Sequence, residues 1–268
     1  MSNRPTALFV TDGDTFTPTE LSRGPWDPDA CHGGPVGALL ARVIEHTPNG
    51  GVDWQLARVT IELTRPVPLA PLRVLSDVVR PGRKVALVEA RLVRAVDDVE
   101  VARVRALRIR SATVPLPEHP AIAAEPPFGE AGIGAVQRPS FDNELVAFHN
   151  TACDMRFASG SFLDPGPVQV WIRLNVPLLD GEQPSGVQRA LAAADFGNGV
   201  SGTLPYERYL FINPELTVHL LREPVGEWIG MDSRSHYGPK GAGMAESALY
   251  DAHGRVGRGV QSLFVDER

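Results

Sequence analysis

Cysteine is scarce here: Cys31 and Cys153 are the only two in 268 residues. They build no disulfide framework, and no Cys-x-x-Cys pair points to zinc or redox chemistry. Lysine is equally rare. Lys84 and Lys240 stand alone, so nearly all the positive charge is arginine. The net charge is −6, which argues against a nucleic-acid partner. No run approaches the ~20 apolar residues of a membrane-spanning helix. Residues 1–6 lack the charged-then-apolar pattern of a leader, so a cytoplasmic location is expected. His32, His46, His119, His149, His219, His236 and His253 are scattered without ligand spacing, so no metal is expected. A Gly-x-Ser-x-Gly elbow is also missing, which disfavours a serine hydrolase. Cys31 and His32 are neighbours in sequence, and neighbouring side chains usually point apart, which disfavours a Cys–His nucleophile.

What is present is a globular composition, 43% hydrophobic and 22% charged, with material for one large domain or two ordinary ones. The organising stretch is His32-Gly33-Gly34-Pro35 followed by Val36, Leu39, Leu40, Val43 and Ile44 at helical spacing. Only Arg42 and Glu45 interrupt its apolar character, so this helix is expected to be buried on most sides. The glycine pair at its mouth presents unpaired N–H groups and a positive dipole end. It is equally a plain tight turn into a helix.

Around this helix the chain reads as a short strand at 7–10, turns at 11–25, then strands at 56–64, 72–79, 85–95 and 99–111. Residues 113–143 form a proline-rich connection. Two short strands at 157–174, an alanine-rich helix at 188–196, a loop, and strands at 215–221, 227–237, 243–250 and 256–265 follow.

The second pattern repeats the first. Thr60-Ile61-Glu62-Leu63-Thr64-Arg65-Pro66 falls on Thr217 to Pro224 with one insertion. Glu89 falls on Glu246, Leu92 on Leu249 and Arg103 on Arg258. One helix and a meander, twice, predicts an α+β fold in which two helices lie inside one long curved antiparallel sheet.

Trp26-Asp27-Pro28-Asp29-Ala30-Cys31-His32-Gly33-Gly34-Pro35, Leu216 to Pro224, and Gly257-Arg258-Gly259-Val260-Gln261-Ser262-Leu263 together carry a resemblance. The chain resembles the acyl-CoA thioesterase II family of double hotdog proteins over nearly its whole length, the connection excepted. That resemblance implies an N-terminal hotdog at 1–112, a linker at 113–143 and a C-terminal hotdog at 144–268. It implies hydrolysis of a fatty acyl-CoA thioester, with CoA as part of the substrate and no separate cofactor. It also implies an Asp on the second central helix, here Asp195, and a Gln in the last strand, here Gln261. The family's third residue is a Thr or Ser, and its position matches Asn213, a departure from the pattern. Thr217 is the alternative.

Asp195 is also singled out by physics. It is a lone carboxylate behind a run of alanines on a buried helix, where an unpartnered charge costs several kcal/mol. Gln261 is its expected partner. A helix C-terminal cap is the plainer reading, since Gly197-Asn198-Gly199 follows. Laying one half on the other puts Val43 opposite Asp195 and Ala106 opposite Gln261, with Glu45 pointing elsewhere, so a single site per chain is expected. The resemblance to hotdog proteins also implies that the mouth at His32, Gly33 and Gly34 supplies oxyanion or substrate contacts. The alternatives are a hotdog enoyl-CoA hydratase using Asp27 and His32, which have its spacing, and a non-catalytic acyl-binding protein. Long sheet edges predict a homo-oligomer.

Overall fold

The computed structural model describes residues 5–48, 50–118, 125–138, 145–162 and 164–268. Phe9–Asp12 (β1) and Thr15–Pro18 (β2) form a hairpin. The sequence pattern predicts one strand at 7–10 followed by turns. Gly13, at a positive φ of 61°, lets two residues close the turn, and that permits the second strand.

Gly33–His46 (α1) begins on the His32 cap and stops at Thr47, as its periodicity predicts. At its far end the buried Arg108 guanidinium donates to the carbonyls of Ile44 and Thr47, satisfying groups the helix leaves open. Trp54–Leu63 (β3), Leu72–Arg80 (β4), Val85–Arg94 (β5) and Glu100–Arg110 (β6) complete the first half. The second half holds Cys153–Ser159 (β7), Val168–Leu174 (β8), the helices Gly186–Ala194 (α2) and Gly197–Val200 (α3), and Tyr209–Ile212 (β9). Glu215–Leu220 (β10), Trp228–Tyr237 (β11), Ala242–Asp251 (β12) and Gly254–Glu267 (β13) follow. β9 occupies the expected loop. It exists through pairing with the end of β13, from Ile212 against Phe264 to Tyr209 against Glu267, a contact no local pattern announces.

All strands join one antiparallel sheet, ordered β1-β2-β4-β5-β6-β3-β10-β13-β12-β11-β8-β7, with β9 added to β13. Outward from the β3–β10 seam the two sides run β6-β5-β4 and β13-β12-β11, the same order in each half. At the seam Thr60 lies directly opposite Thr217, the pair that sequence overlay equates, so an approximate two-fold passes between them. The repeat extends to side chains. Arg103 reaches Glu89 at 3.1 Å across β5–β6, and Arg258 pairs with Glu246 at the equivalent diagonal of β12–β13. Leu92 and Leu249 are both fully buried.

α1 and α2 lie side by side against the sheet, inside its curve. They run in opposite directions, because the end of each meets the start of the other. Ser185 caps α2 and donates to Glu45 near the end of α1 at 2.6 Å, while the Asp195 carboxylate ending α2 lies 2.8 Å from His32. The described part of the connection, 113–118 and 125–138, carries no helix or long strand. Its Glu125 accepts from Tyr250 Oη at 2.6 Å and from Arg255 at 2.7 Å. His119 and the expected boundary at 143/144 lie outside the described residues. Among the described residues no helix is long and apolar enough to cross a membrane.

Glu45 departs from expectation, because it does not point away. Its carboxylate faces the mouth of α2, accepting from Ser185 and from Gln188 Nε2 at 2.7 Å. Burial raises its pKa above the ordinary 4.5, more than those two hydrogen bonds lower it, and Glu223 adds to the rise. A group whose pKa is raised by folding stabilises the fold fully below its unfolded value and ceases to do so as pH rises through its folded value. Glu45→Gln removes that titration. Urea unfolding of both proteins from pH 4 to 8 is expected to show the free-energy difference moving in favour of the variant above pH 4.5.

Candidate active site

α2 is short because Gly197 and Gly199 follow it. Asp195 therefore sits at its C-cap, and the cap reading and the buried-acid reading are both correct. Its side chain is only 5% exposed. Asn213, between β9 and β10, donates from Nδ2 to Asp195 Oδ1 at 2.8 Å. His32 Nδ1 lies 2.8 Å from Oδ2. A Cβ built on Gly33 would stand 2.7 Å from both carboxylate oxygens, so the acid rests directly on the first turn of α1. A Cβ on Gly34 would strike the Ala192 carbonyl at 2.7 Å and Phe148 at 2.8 Å. The glycine pair is therefore a close-approach device between two helices, beyond a simple turn. The positive end of α1 also faces the carboxylate, a favourable arrangement.

Gln261 takes a different part from the one expected. Its amide does not reach the carboxylate. Nε2 donates to the backbone carbonyl of Asp195 at 3.1 Å, and Oε1 accepts from the Asn198 N–H at 3.0 Å. It thus braces the broken end of α2, satisfying two backbone groups that the α2–α3 break would leave unpaired. The sheet register places Ala106 where the second half has Gln261, as overlay predicts: Ala106 faces Val59, next to Thr60, and Ala245 faces Gln261 in β12.

Thr217 is elsewhere. Leu216, Val218 and Leu220 take the inner face of β10, which by alternation leaves Thr217 on the outer one. Its hydroxyl lies 3.2 Å from the Thr60 hydroxyl and 3.3 Å from the Glu215 carboxylate, which can only accept. The expectation that it replaces a missing threonine is thereby overturned by strand parity. Asp27 is exposed, and its Oδ1 accepts from the Asp29 N–H at 2.9 Å. The carboxylate beside His32 is therefore Asp195, not the Asp27 that a hydratase pairing requires. Cys31 is no nucleophile: desolvation drives its thiol pKa well above the usual range, which suppresses the thiolate. Among the described residues no group of three His, Cys, Asp or Glu is placed to hold a metal ion.

Asp195, Asn213, His32 and Gly33 all line a cavity of about 1010 Å³. Its wall is largely apolar and aromatic, with Trp26, Phe162, Phe196, Tyr206 and Phe211 contributing. The His32 ring packs beside a stacked pair of rings, Phe148 and Phe196, with centroids at 5.1 and 4.7 Å from its own and 5.4 Å from each other. Neither aromatic partner was singled out from sequence. Phe196 had one available signal, adjacency to Asp195, and Phe148 had none.

A helix pair inside a curved antiparallel sheet, with a buried acid at a helix mouth beside an apolar cavity, defines a hot-dog-fold protein. Family models for the acyl-CoA thioesterase N-terminal domain and C-terminal domain match residues 22–109 and 117–265, and the chain belongs to that family. It is a thioester hydrolase. No match was found among curated proteins. Solved structures share the fold across nearly the full length. A putative thioesterase II from Thermobifida fusca YX is 16% identical, covers 97% of this chain and 96% of its own, and superposes with a TM-score of 0.70. A hot dog fold protein of unknown function from Alicyclobacillus acidocaldarius is 15% identical, with 96% and 95% covered and a TM-score of 0.67. The acyl-CoA thioesterase II TesB2 from Mycobacterium marinum is 15% identical, with 96% and 94% covered and a TM-score of 0.63.

Proposed function

We propose that this chain is a double hotdog, with repeats at 1–112 and 144–268 joined by 113–143, that hydrolyses the thioester of a fatty acyl-CoA with water activated at Asp195. The carrying observation is the buried Asp195 carboxylate, held by Asn213 from its own half and His32 from the other, and opening onto an apolar cavity. A carboxylate so placed takes a proton from water as the water oxygen attacks the thioester carbonyl carbon. The resulting oxyanion lies near the positive end of α1. The C–S bond then breaks, and the proton held by Asp195 passes to the thiolate. Thiols ionise near pH 8.5, so this leaving group needs no strong acid.

Asn213, in the place of the family's Thr or Ser, fixes the carboxylate through an amide N–H. Gln261 holds the helix end that carries it. CoA arrives as part of the substrate and no separate cofactor is used. The compartment is cytoplasmic, and the long sheet favours a homo-oligomer. The test is thiol release across saturated acyl-CoAs of increasing length, each compared with the same chain as its free acid. Turnover that rises with chain length supports the reading. Tight acyl-CoA binding without release of thiol at any length would replace it with an acyl-binding role.

A further inference from the structure

His32 carries a conflict that its present contacts do not resolve. Its Nδ1 lies 3.0 Å from the Gly34 N–H, which donates to it as a helix cap, and 2.8 Å from Asp195 Oδ2. A ring nitrogen has one in-plane site, holding either a proton or a lone pair. With a lone pair, Nδ1 accepts from Gly34 and sets that lone pair against the carboxylate. With a proton, it donates to Asp195, and the Gly34 N–H loses its acceptor. Phe148 and Phe196 pack against the ring at 5.1 and 4.7 Å and hold it at this junction.

We infer that His32 Nδ1 is a two-way latch, which with its proton holds the Asp195 carboxylate and at the same time releases the Gly34 N–H as a donor for the thioester carbonyl oxygen. This rests on Asp195 being the water-activating group. It adds a positioning residue from the first half that ties the state of the acid to the availability of an oxyanion donor. Gly33, which precedes the released amide, already forms cavity wall. No net proton is consumed. Solvent in the cavity that His32 lines gives a proton to Nδ1 while Nε2 gives one up to solvent, and Asp195 still collects and returns the proton of the attacking water.

Two substitutions separate the latch from its simpler components. His32→Asn keeps a strong cap for Gly34, because asparagine is among the best N-cap residues. His32→Phe keeps the aromatic contact with Phe148 and Phe196. If His32 is a latch, both lower kcat by about 100-fold or more, the scale of losing one oxyanion donor. KM and the affinity for a non-hydrolysable acyl-CoA thioether stay within a few-fold in both, and His32→Asn melts near the wild-type temperature. Retained kcat in His32→Asn would reduce His32 to a helix cap. Retained kcat in His32→Phe would reduce it to a packing ring. Either result overturns the latch while leaving the hydrolytic reading intact. That reading falls separately, if Asp195→Asn keeps its turnover.

Discussion

Asp195→Asn is expected to lower kcat for thiol release by about 10³-fold, within the range that general-base groups supply. The reason is local. Asparagine has nearly the shape of aspartate and can keep the hydrogen bond from Asn213 through its carbonyl oxygen. Its amide group takes the place of the carboxylate oxygen beside His32 Nδ1, so the residue stays seated at the mouth of α1. It cannot take a proton from water. Because an amide costs less to bury than a carboxylate, thermal stability should hold or increase. A steady-state assay with a melting curve on the same preparation checks both halves of the expectation. Turnover within threefold of wild type would remove Asp195 from the chemistry. A fall in melting temperature alongside the lost activity would recast the residue as structural.

Gly33→Ala is expected to be nearly as damaging to catalysis, and by a route that leaves the fold standing. The added Cβ would come within 2.7 Å of Asp195 Oδ1 and Oδ2 and 2.9 Å of Cγ. The carboxylate is the part able to yield, and it would yield by leaving its place between Asn213 and His32. Displacement of a reacting group by about 1 Å can cost about 100-fold in rate. Gly34→Ala should behave in the opposite way. Its Cβ would meet the Ala192 carbonyl at 2.7 Å, and backbone cannot swing aside. Forced overpacking of this kind costs about 1–3 kcal/mol, so urea unfolding should reveal it. Comparable losses of kcat and stability in both variants would contradict this division between neighbouring glycines.

These contrasts show which features were legible. The four long strands of each half and the helix at 33–46 follow from alternation and helical periodicity within single segments, and the structure has them within a residue or two. The internal repeat was also legible, since Thr60 and Thr217 could be matched without coordinates. Asp195 stood out because a carboxylate behind Ala192-Ala193-Ala194 is anomalous wherever that helix packs. Its partners were harder. Gln261 was expected at the carboxylate, but an amide in an inner-face position reaches whatever backbone lies above it, and the break after α2 put Asn198 N and Asp195 O there. Glu45 was expected to point away on an overlay that equated Pro184 with His32. The caps equate Ser185 with His32 instead, and Glu45 meets the mouth of α2.

By itself the sequence determined the elements, their duplication and the anomalous acid, because each depends on the order of apolar and polar residues within about a dozen positions. The tertiary structure alone decided that α1 and α2 run in opposite directions, and so that His32 and Gly33 of one half close on Asp195 of the other. It also created β9 and set Thr217 against Thr60 on the outer face. Those outcomes depend on the distance between segments far apart in the chain, from the pairing of Ile212 with Phe264 to the 157-residue separation of Thr217 and Thr60. That distance is set by sheet closure, which no local pattern encodes.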